Sequence, residues 1–231
     1  MTQKKAIAYI DANNLYHGII DRRNLPAAGY EPFSPERPWG DLLWLNLESF
    51  IKSCYIPSID LIKIKIFQAP SYKKESLRRQ QLYHNALLSL DTIDESSFYH
   101  GEFKPSIVRC SKCGHEHTLH TEKKTDAAMS TEILSDFFLA NCAVTIIVGG
   151  DSDQVPVIEK IKSLNFSHEI YAIFPPSRKS KEIYKILGEN NCRKINYRML
   201  LRNQLTDLVN VNGFDIEKPI EYKRSKIDNN P

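Results

Sequence analysis

One stretch constrains the fold more than any other part of the chain. Five β-branched, largely apolar residues, 144–148, run directly into Gly149 and Gly150, and two aspartates follow, Asp151 and Asp153. A short run of this kind is typical of a strand buried on both faces, as in a parallel sheet. In such sheets the functional groups lie just beyond the carboxyl ends of the strands. The sequence therefore predicts that both aspartates stand at a functional edge.

Short apolar runs that predict strands alternate along the chain with patterns that predict helices. The predicted strands are 5–10, 61–67, a short one within 98–108, 143–148, 169–174 and 194–196. The predicted helices are 12–20, 41–51, 74–90, 126–139, 153–163, 179–187 and 198–203. This alternation predicts an α/β fold, a three-layer, Rossmann-type sandwich around a mainly parallel sheet. Four prolines predict a loop over 24–38, and the polar tail after Gly213 is predicted to be irregular.

Composition excludes several classes of protein. The charge is nearly balanced, with 31 basic and 28 acidic residues, which excludes a histone-like polycation but leaves room for local basic patches. It has no apolar run long enough to span a membrane and no cleavable signal peptide, so no membrane partner is expected. Five cysteines, two of them in a C-x-x-C, indicate a reducing, cytoplasmic setting with thiols available for metal.

Four aspartates are predicted to meet at one edge of the sheet. Asp11 follows the first strand, and Asp151 and Asp153 follow a later one. Asp126 begins a helix that must run antiparallel to the strand after it, which brings its start to the same edge. Converging carboxylates repel, and a divalent cation relieves that repulsion. Oxygen ligands favour Mg²⁺ or Mn²⁺, and either ion can activate water against a phosphodiester.

A simpler interpretation exists for each of these aspartates. Asp is a favoured helix N-cap, and Asp11, Asp126 and Asp151 all begin helices. Their convergence, rather than any one of them, favours the metal site. Glu132 lies two turns into the helix of Asp126, where it is either a residue behind the metal ligands or a solvated one.

A Cys/His cluster at 110–120 predicts a structural zinc site within a small insertion. The chosen ligands are Cys110, Cys113, His117 and His120, with His115 as an alternative. Zinc takes four such ligands in a tetrahedron, and Cys-x-x-Cys followed by glycine makes a turn that aims two thiolates at one ion. The alternative is an exposed polar loop without metal.

Basic residues follow two strands and are predicted to reach the same edge. The candidates for substrate binding are Lys73, Lys74, Arg78, Arg79, Arg178 and Lys179. They suit the phosphate backbone of a nucleic acid, and Tyr72, Tyr83 and His84 offer rings for base stacking. The alternative is that these charges are solvated helix ends.

Three motifs, in order, resemble the NYN domain of the PIN-like nuclease superfamily. They are Ile10–Asn14, Glu122–Asp126 and Gly150–Asp153. The resemblance covers about residues 4–205 and implies a metal-dependent nuclease, with RNA preferred over DNA, that uses Mg²⁺ or Mn²⁺. Asp11, Asp126, Asp151 and Asp153 match the acidic positions of the family, and Asn14 matches a polar one, which makes Asn14 a further candidate for substrate binding. The chain departs from the pattern at Gln154, where an aromatic or apolar residue is usual, and at Gly149-Gly150, where serine is frequent.

The predicted organisation is a nuclease domain over 1–205, which includes the 110–120 insertion, and a C-terminal extension over 206–231. A non-catalytic nucleic-acid-binding module of the same fold is an alternative function. A haloacid-dehalogenase-type phosphatase is disfavoured, because Asn13 stands where that chemistry needs a second acid. The apolar helix predicted over 41–51 offers a surface for a homodimer.

Overall fold

The computed structural model describes residues 3–21, 39–54, 56 and 58–223. The predicted proline-rich loop, 24–38, lies outside the described residues. The described chain contains the strands β1 (Lys4–Asp11), β2 (Ile59–Gln68), β3 (Phe98–His100), β4 (Glu102–Arg109), β5 (Glu116–Lys123), β6 (Val144–Val148), β7 (Glu169–Phe174), β8 (Cys192–Lys194), β9 (Leu208–Val211) and β10 (Phe214–Glu217). Its α-helices are α1 (Ala12–Ile19), α2 (Leu47–Ser53), α3 (Lys74–Leu87), α4 (Thr125–Phe138), α5 (Val155–Leu164), α6 (Lys181–Leu187) and α7 (Tyr197–Arg202).

The central sheet has six strands in the order β3-β2-β1-β6-β7-β8. Every neighbouring pair in it is parallel. The prediction of an α/β sandwich around a parallel sheet is confirmed. None of the described helices is long and apolar enough to cross a membrane.

Alternate residues of the strands enter two separate cores, one on each face of the sheet. In β1, Ala6 and Ile10 face the first core, whereas Ile7 and Tyr9 face the second. Helices α1, α2, α3 and α7 cover the first core, and α4, α5 and α6 cover the second. Burial of each large apolar side chain contributes roughly 1.5–3 kcal/mol, so both faces of the sheet need this cover.

The chain reverses its direction of travel across the sheet between β1 and β6. It adds β2 and β3 on one side of β1, then returns to add β6, β7 and β8 on the other. Ile10 pairs with Val148 as the last residues of β1 and β6 to be aligned. Ligands of open α/β sheets bind in the crevice at such a switch point, beyond the carboxyl ends of the strands. Asp11 and the Gly149–Asp153 turn both begin there.

The predicted helix over 41–51 is a short 3-10 turn, Gly40–Leu42, followed by α2. The apolar residues of this segment are buried in the chain's own core, among them Leu42, Leu45 and Phe50. These residues pack in the first core, so they do not form the exposed surface that the sequence predicts for a homodimer.

Residues beyond 205 pack on the same core as the rest of the chain. Val209 and Tyr222 belong to the first core, and the Trp44 indole Nε1 donates to the carbonyl of Thr206 at 2.9 Å. The prediction of an irregular tail is wrong for residues 214–217, which form β10 against β9. Residues 224–231 of that tail lie outside the described part of the chain.

The second part of the predicted zinc loop, residues 116–120, belongs to a hairpin strand. Strands β4 and β5 pair antiparallel from Glu102↔Lys123 to Arg109↔Glu116, as a sheet of their own. The turn between them is confined to residues 110–115. The hairpin leads from its exposed tip back to Lys123, immediately before α4.

Candidate functional site

Asp11 ends β1 and caps α1 at the switch point. Its Oδ1 accepts a hydrogen bond from the backbone N–H of Asn14 at 2.9 Å. Burial raises the pKa of Asp11 to about 7, and the negative charges of Asp126, Glu122 and Asp151 add to the rise, although the Asn14 bond opposes it. A carboxylate in this position is short of positive partners.

Asp126 stands in the first turn of α4 and faces the same group of charges. Burial raises its pKa, and Asp151, Asp153 and Glu122 raise it further. Asp151 caps the 3-10 turn Ser152–Gln154 and accepts from the backbone N–H of Asp153 at 3.2 Å. The structure thus places the four predicted aspartates at one edge, and all four are also helix caps or first-turn residues. Capping and convergence are compatible.

Glu122 is a fifth carboxylate at this edge, which reasoning from the sequence did not assign to the site. The Asn13 side-chain amide donates to it, and the backbone N–H of Ala69 donates to its Oε1 at 3.0 Å. It lies near the end of β5, in a strand that is polar on both faces and so has no periodic signal. The available sign was its place four residues before Asp126.

The two glycines before Asp151 are required by close packing. A Cβ on Gly150 would lie 1.4 Å from the carbonyl oxygen of Arg178, and one on Gly149 would lie 3.3 Å from the Cβ of Asp11. The Gly150 N–H also donates to the Asn14 side chain at 3.0 Å. Glycine has no Cβ, so its presence here instead of serine allows the loop after β7 to pack against the acidic edge.

Gln154, the other departure from the family pattern, is a buried structural residue. Its Oε1 accepts from the hydroxyl of Ser130 at 3.2 Å, which joins the turn after β6 to α4. Glu132 pairs with side chains of β2 and β3. It accepts from the ammonium of Lys65 at 2.7 Å and from the hydroxyl of Tyr99 at 2.9 Å.

The acidic edge fits Mg²⁺ or Mn²⁺ in charge and donor type. All its donors are carboxylate or amide oxygens, which hard divalent cations prefer. Burial and the neighbouring carboxylates together raise the pKa of Asp11 and Asp126, and a cation would offset the charge repulsion among these groups. Within the described residues, no three Asp, Glu, His or Cys side chains are already drawn together as a closed ligand set.

The predicted basic residues divide into two groups. Arg178 lies beside the edge, where burial and the Arg178 charge lower the pKa of His17, and Lys73 lines a cavity with Asn13. The others are exposed or already engaged: Lys74 begins α3 and is exposed, Arg78 and Arg79 pair with Glu221 at 3.0 and 3.2 Å, and the ammonium of Lys179 lies 3.2 Å from the ring centre of Tyr184.

A cavity of about 660 Å³ opens beside Asn13. Tyr72 lines it and stacks on His120, with ring centres 3.8 Å apart and an angle of 8° between the rings. Tyr72 is 53% exposed, so part of its ring surface is open to solvent, and base stacking on it stays a prediction. The other two rings have structural partners. Tyr83 donates its hydroxyl to the carbonyl of Leu45 at 2.7 Å, and His84 stacks on Phe98.

The four predicted zinc ligands are not brought together by the structure. Cys110 and Cys113 lie at the hairpin tip, whereas His117 and His120 both belong to β5. Side chains alternate along a strand, so these two histidines face opposite sides of the hairpin. His120 shares its face with Glu122 and stacks on Tyr72. The zinc prediction treats residues 110–120 as a loop. Residues 116–120 instead belong to β5, and the strand points the two histidines in opposite directions.

No protein-family model matches the sequence, and no curated protein matches it. Among solved structures, the chain is similar to a protein of unknown function from Vibrio parahaemolyticus, at 15% sequence identity and a TM-score of 0.49. The alignment covers 84% of this chain and 94% of that one.

Proposed function

We propose that the chain is a metal-dependent nuclease that hydrolyses phosphodiester bonds at the acidic edge. The observation that carries this proposal is the convergence of Asp11, Glu122, Asp126 and Asp151 at the switch point, where burial, with a further contribution from the other three charges, raises the pKa of Asp11 to about 7. A fold keeps such a destabilising cluster where function requires it. A site that only bound phosphate would gain from losing these charges.

The four aspartates have places in the proposed chemistry. Asp11, Asp126 and Asp151 would hold Mg²⁺ or Mn²⁺, and Asp153 stands next to them in the exposed turn. A bound divalent ion supplies an activated water and neutralises charge on the phosphoryl oxygens. Asn14 keeps this edge in shape, because it donates to Asp11 and accepts from Gly150.

The proposed substrate is a nucleic acid. Arg178, which lies beside the edge, and Lys73, which lines the cavity beside Asn13, each supply a charge for a phosphate. The exposed Tyr72, stacked on His120, offers a flat surface to an unpaired base beside the scissile bond. The preference for RNA over DNA rests on the resemblance of the three motifs to the NYN domain.

Cleavage of labelled single-stranded RNA and DNA of one sequence is the test. We expect RNA to be cut in Mg²⁺ or Mn²⁺ but not in EDTA, and DNA to be cut more slowly. Asp151→Asn keeps an oxygen for the cap but removes the charge, so it is expected to lower the rate at least about 100-fold. Asp215→Asn, in the exposed β9–β10 hairpin, is the matched control with an unchanged rate.

Two results would contradict the proposal. Cleavage that persists in EDTA, or that is equal in both variants, would assign the activity to a different site or to a contaminant. RNA binding without cleavage, by protein whose folding is verified by circular dichroism, would establish the non-catalytic binding module.

A further inference from the structure

The tip of the β4–β5 hairpin holds two cysteines in a fixed turn. The N–H of Cys110 donates to the carbonyl of His115 at 2.8 Å, and the N–H of Gly114 donates back to the carbonyl of Cys110 at 2.9 Å. Gly114 has φ +71°, a conformation that glycine adopts without strain. These two hydrogen bonds close the turn and fix the positions of Cys110 and Cys113 relative to each other.

The two cysteine side chains lie beside each other at this tip. The N–H groups of Cys113 and Lys112 donate to the sulfur of Cys110, as does the Cys113 thiol. Cys113 is exposed. A thiolate is the form of cysteine that binds zinc, and two of them from one C-x-x-C turn are half of a tetrahedral set.

The rest of the described chain does not complete that set. No three Cys, His, Asp or Glu side chains in it stand together as metal ligands, so neither His115 nor His117 joins the cysteine pair. His120 is on the opposite face from His117 and is stacked on Tyr72. Other thiols lie elsewhere, with Cys54 and Cys142 buried in the two cores.

We propose that the hairpin tip is half of a zinc site, which two copies of this chain complete with the thiolates of Cys110 and Cys113 from each. The zinc ion then joins the two hairpins tip to tip. This inference is independent of the proposed nuclease activity, because its ligands lie at the far end of the hairpin from Glu122. At about 3.3 Å per residue, β5 separates the tip from the acidic edge by roughly 20 Å.

The surroundings of the tip suit such a junction. Ile107 and Leu119, close to the turn, are 75% and 48% exposed on opposite faces of the hairpin, and a second copy would cover part of them. Zinc with four thiolates carries a net negative charge. The guanidinium of Arg109 folds over the turn, with its Nη2 3.6 Å from the place a Gly114 Cβ would take, and offsets that charge from each copy.

The test is the zinc content and mass of the zinc-loaded full chain, measured by native mass spectrometry and light scattering. We expect one zinc per two chains, a dimer, and a monomer after removal of zinc with EDTA. The double variant Cys110→Ser/Cys113→Ser is expected to be monomeric and free of zinc. The control His115→Ala/His117→Ala, on the same hairpin, is expected to keep both zinc and dimer.

Three results would overturn the proposal. One zinc per monomer, lost in the histidine variant, would show a site within a single chain. Binding of no zinc would remove the site, and a dimer that survives in the cysteine variant would place the interface elsewhere. Circular dichroism and thermal unfolding verify that each variant is folded, which is expected because the hairpin lies outside the central sheet.

Discussion

Replacing Lys65 with methionine is expected to destabilise the fold by about 3–5 kcal/mol. The Lys65 ammonium lies between two carboxylates, 2.7 Å from Glu132 and 2.6 Å from Asp136. Tyr9 donates a further hydrogen bond to Asp136 at 2.6 Å, in the second core. Only 11% of the Lys65 side chain and 6% of the Asp136 side chain are exposed, so methionine would leave a buried carboxylate without its counter-charge.

Lys63→Met is the matched control for this prediction. Lys63 lies two residues earlier on the same strand and pairs with Asp94, whose side chain is 64% exposed. Water replaces such a partner, and exposed pairs contribute about 0–1 kcal/mol. Urea unfolding of both variants measures the difference. Equal losses of stability would contradict the prediction, because the Lys65 ion pairs would then contribute no more to stability than the exposed pair of Lys63.

Gly150→Ala is expected to damage both the fold and the proposed activity. The new Cβ would fall 1.4 Å from the carbonyl oxygen of Arg178, and two backbone segments would have to separate. Overpacking against backbone costs about 3 kcal/mol or more. The displaced loop would carry Arg178 and Asp151 away from Asp11, so the cleavage rate is expected to fall at least about 100-fold.

Ser152→Ala, in the same turn, is the control for Gly150→Ala. Ser152 is exposed, and alanine there adds no atom to the structure. Thermal unfolding and the RNA cleavage assay are expected to give wild-type values for it. Wild-type stability of Gly150→Ala would mean that the turn after β6 and the loop after β7 are not in contact.

The sheet and its acidic edge could be predicted because their signals are local. The short apolar runs of β1 and β6 are buried on both faces, and such runs predict parallel strands. In a parallel sheet, the residue after each strand falls on one edge, so the positions of Asp11 and Asp151 follow from strand order alone. Helix α4 runs antiparallel to β6, the strand that follows it, so the first turn of α4 brings Asp126 to the same edge.

The hairpin and the ion pairs could not be predicted because their signals are not local. β4 and β5 are exposed on nearly every residue, so they lack the alternation that marks a half-buried strand. Arg78 and Arg79 look available to a substrate until Glu221 reaches them from the far end of the sequence. The same is true of Glu132, whose partner Lys65 is on a different strand.

The most direct test that the acidic edge binds a divalent cation uses the raised pKa of the buried Asp11 carboxyl. Its pKa of about 7 means that the carboxyl is protonated below that pH, and a cation needs the carboxylate. Mn²⁺ binding at about pH 6 is therefore expected to release about one proton per chain, and far less at about pH 9. Calorimetry in buffers of different ionisation enthalpy measures this release.

Asp11→Asn is expected to bind Mn²⁺ more weakly and without this proton release, whereas Asp60→Asn, an exposed aspartate of β2, is expected to behave as the wild type. Proton release that rises from about pH 9 to about pH 6 and disappears in Asp11→Asn would establish the carboxylates at the switch point as the metal site. Absence of Mn²⁺ binding, or identical binding by all three proteins, would contradict it.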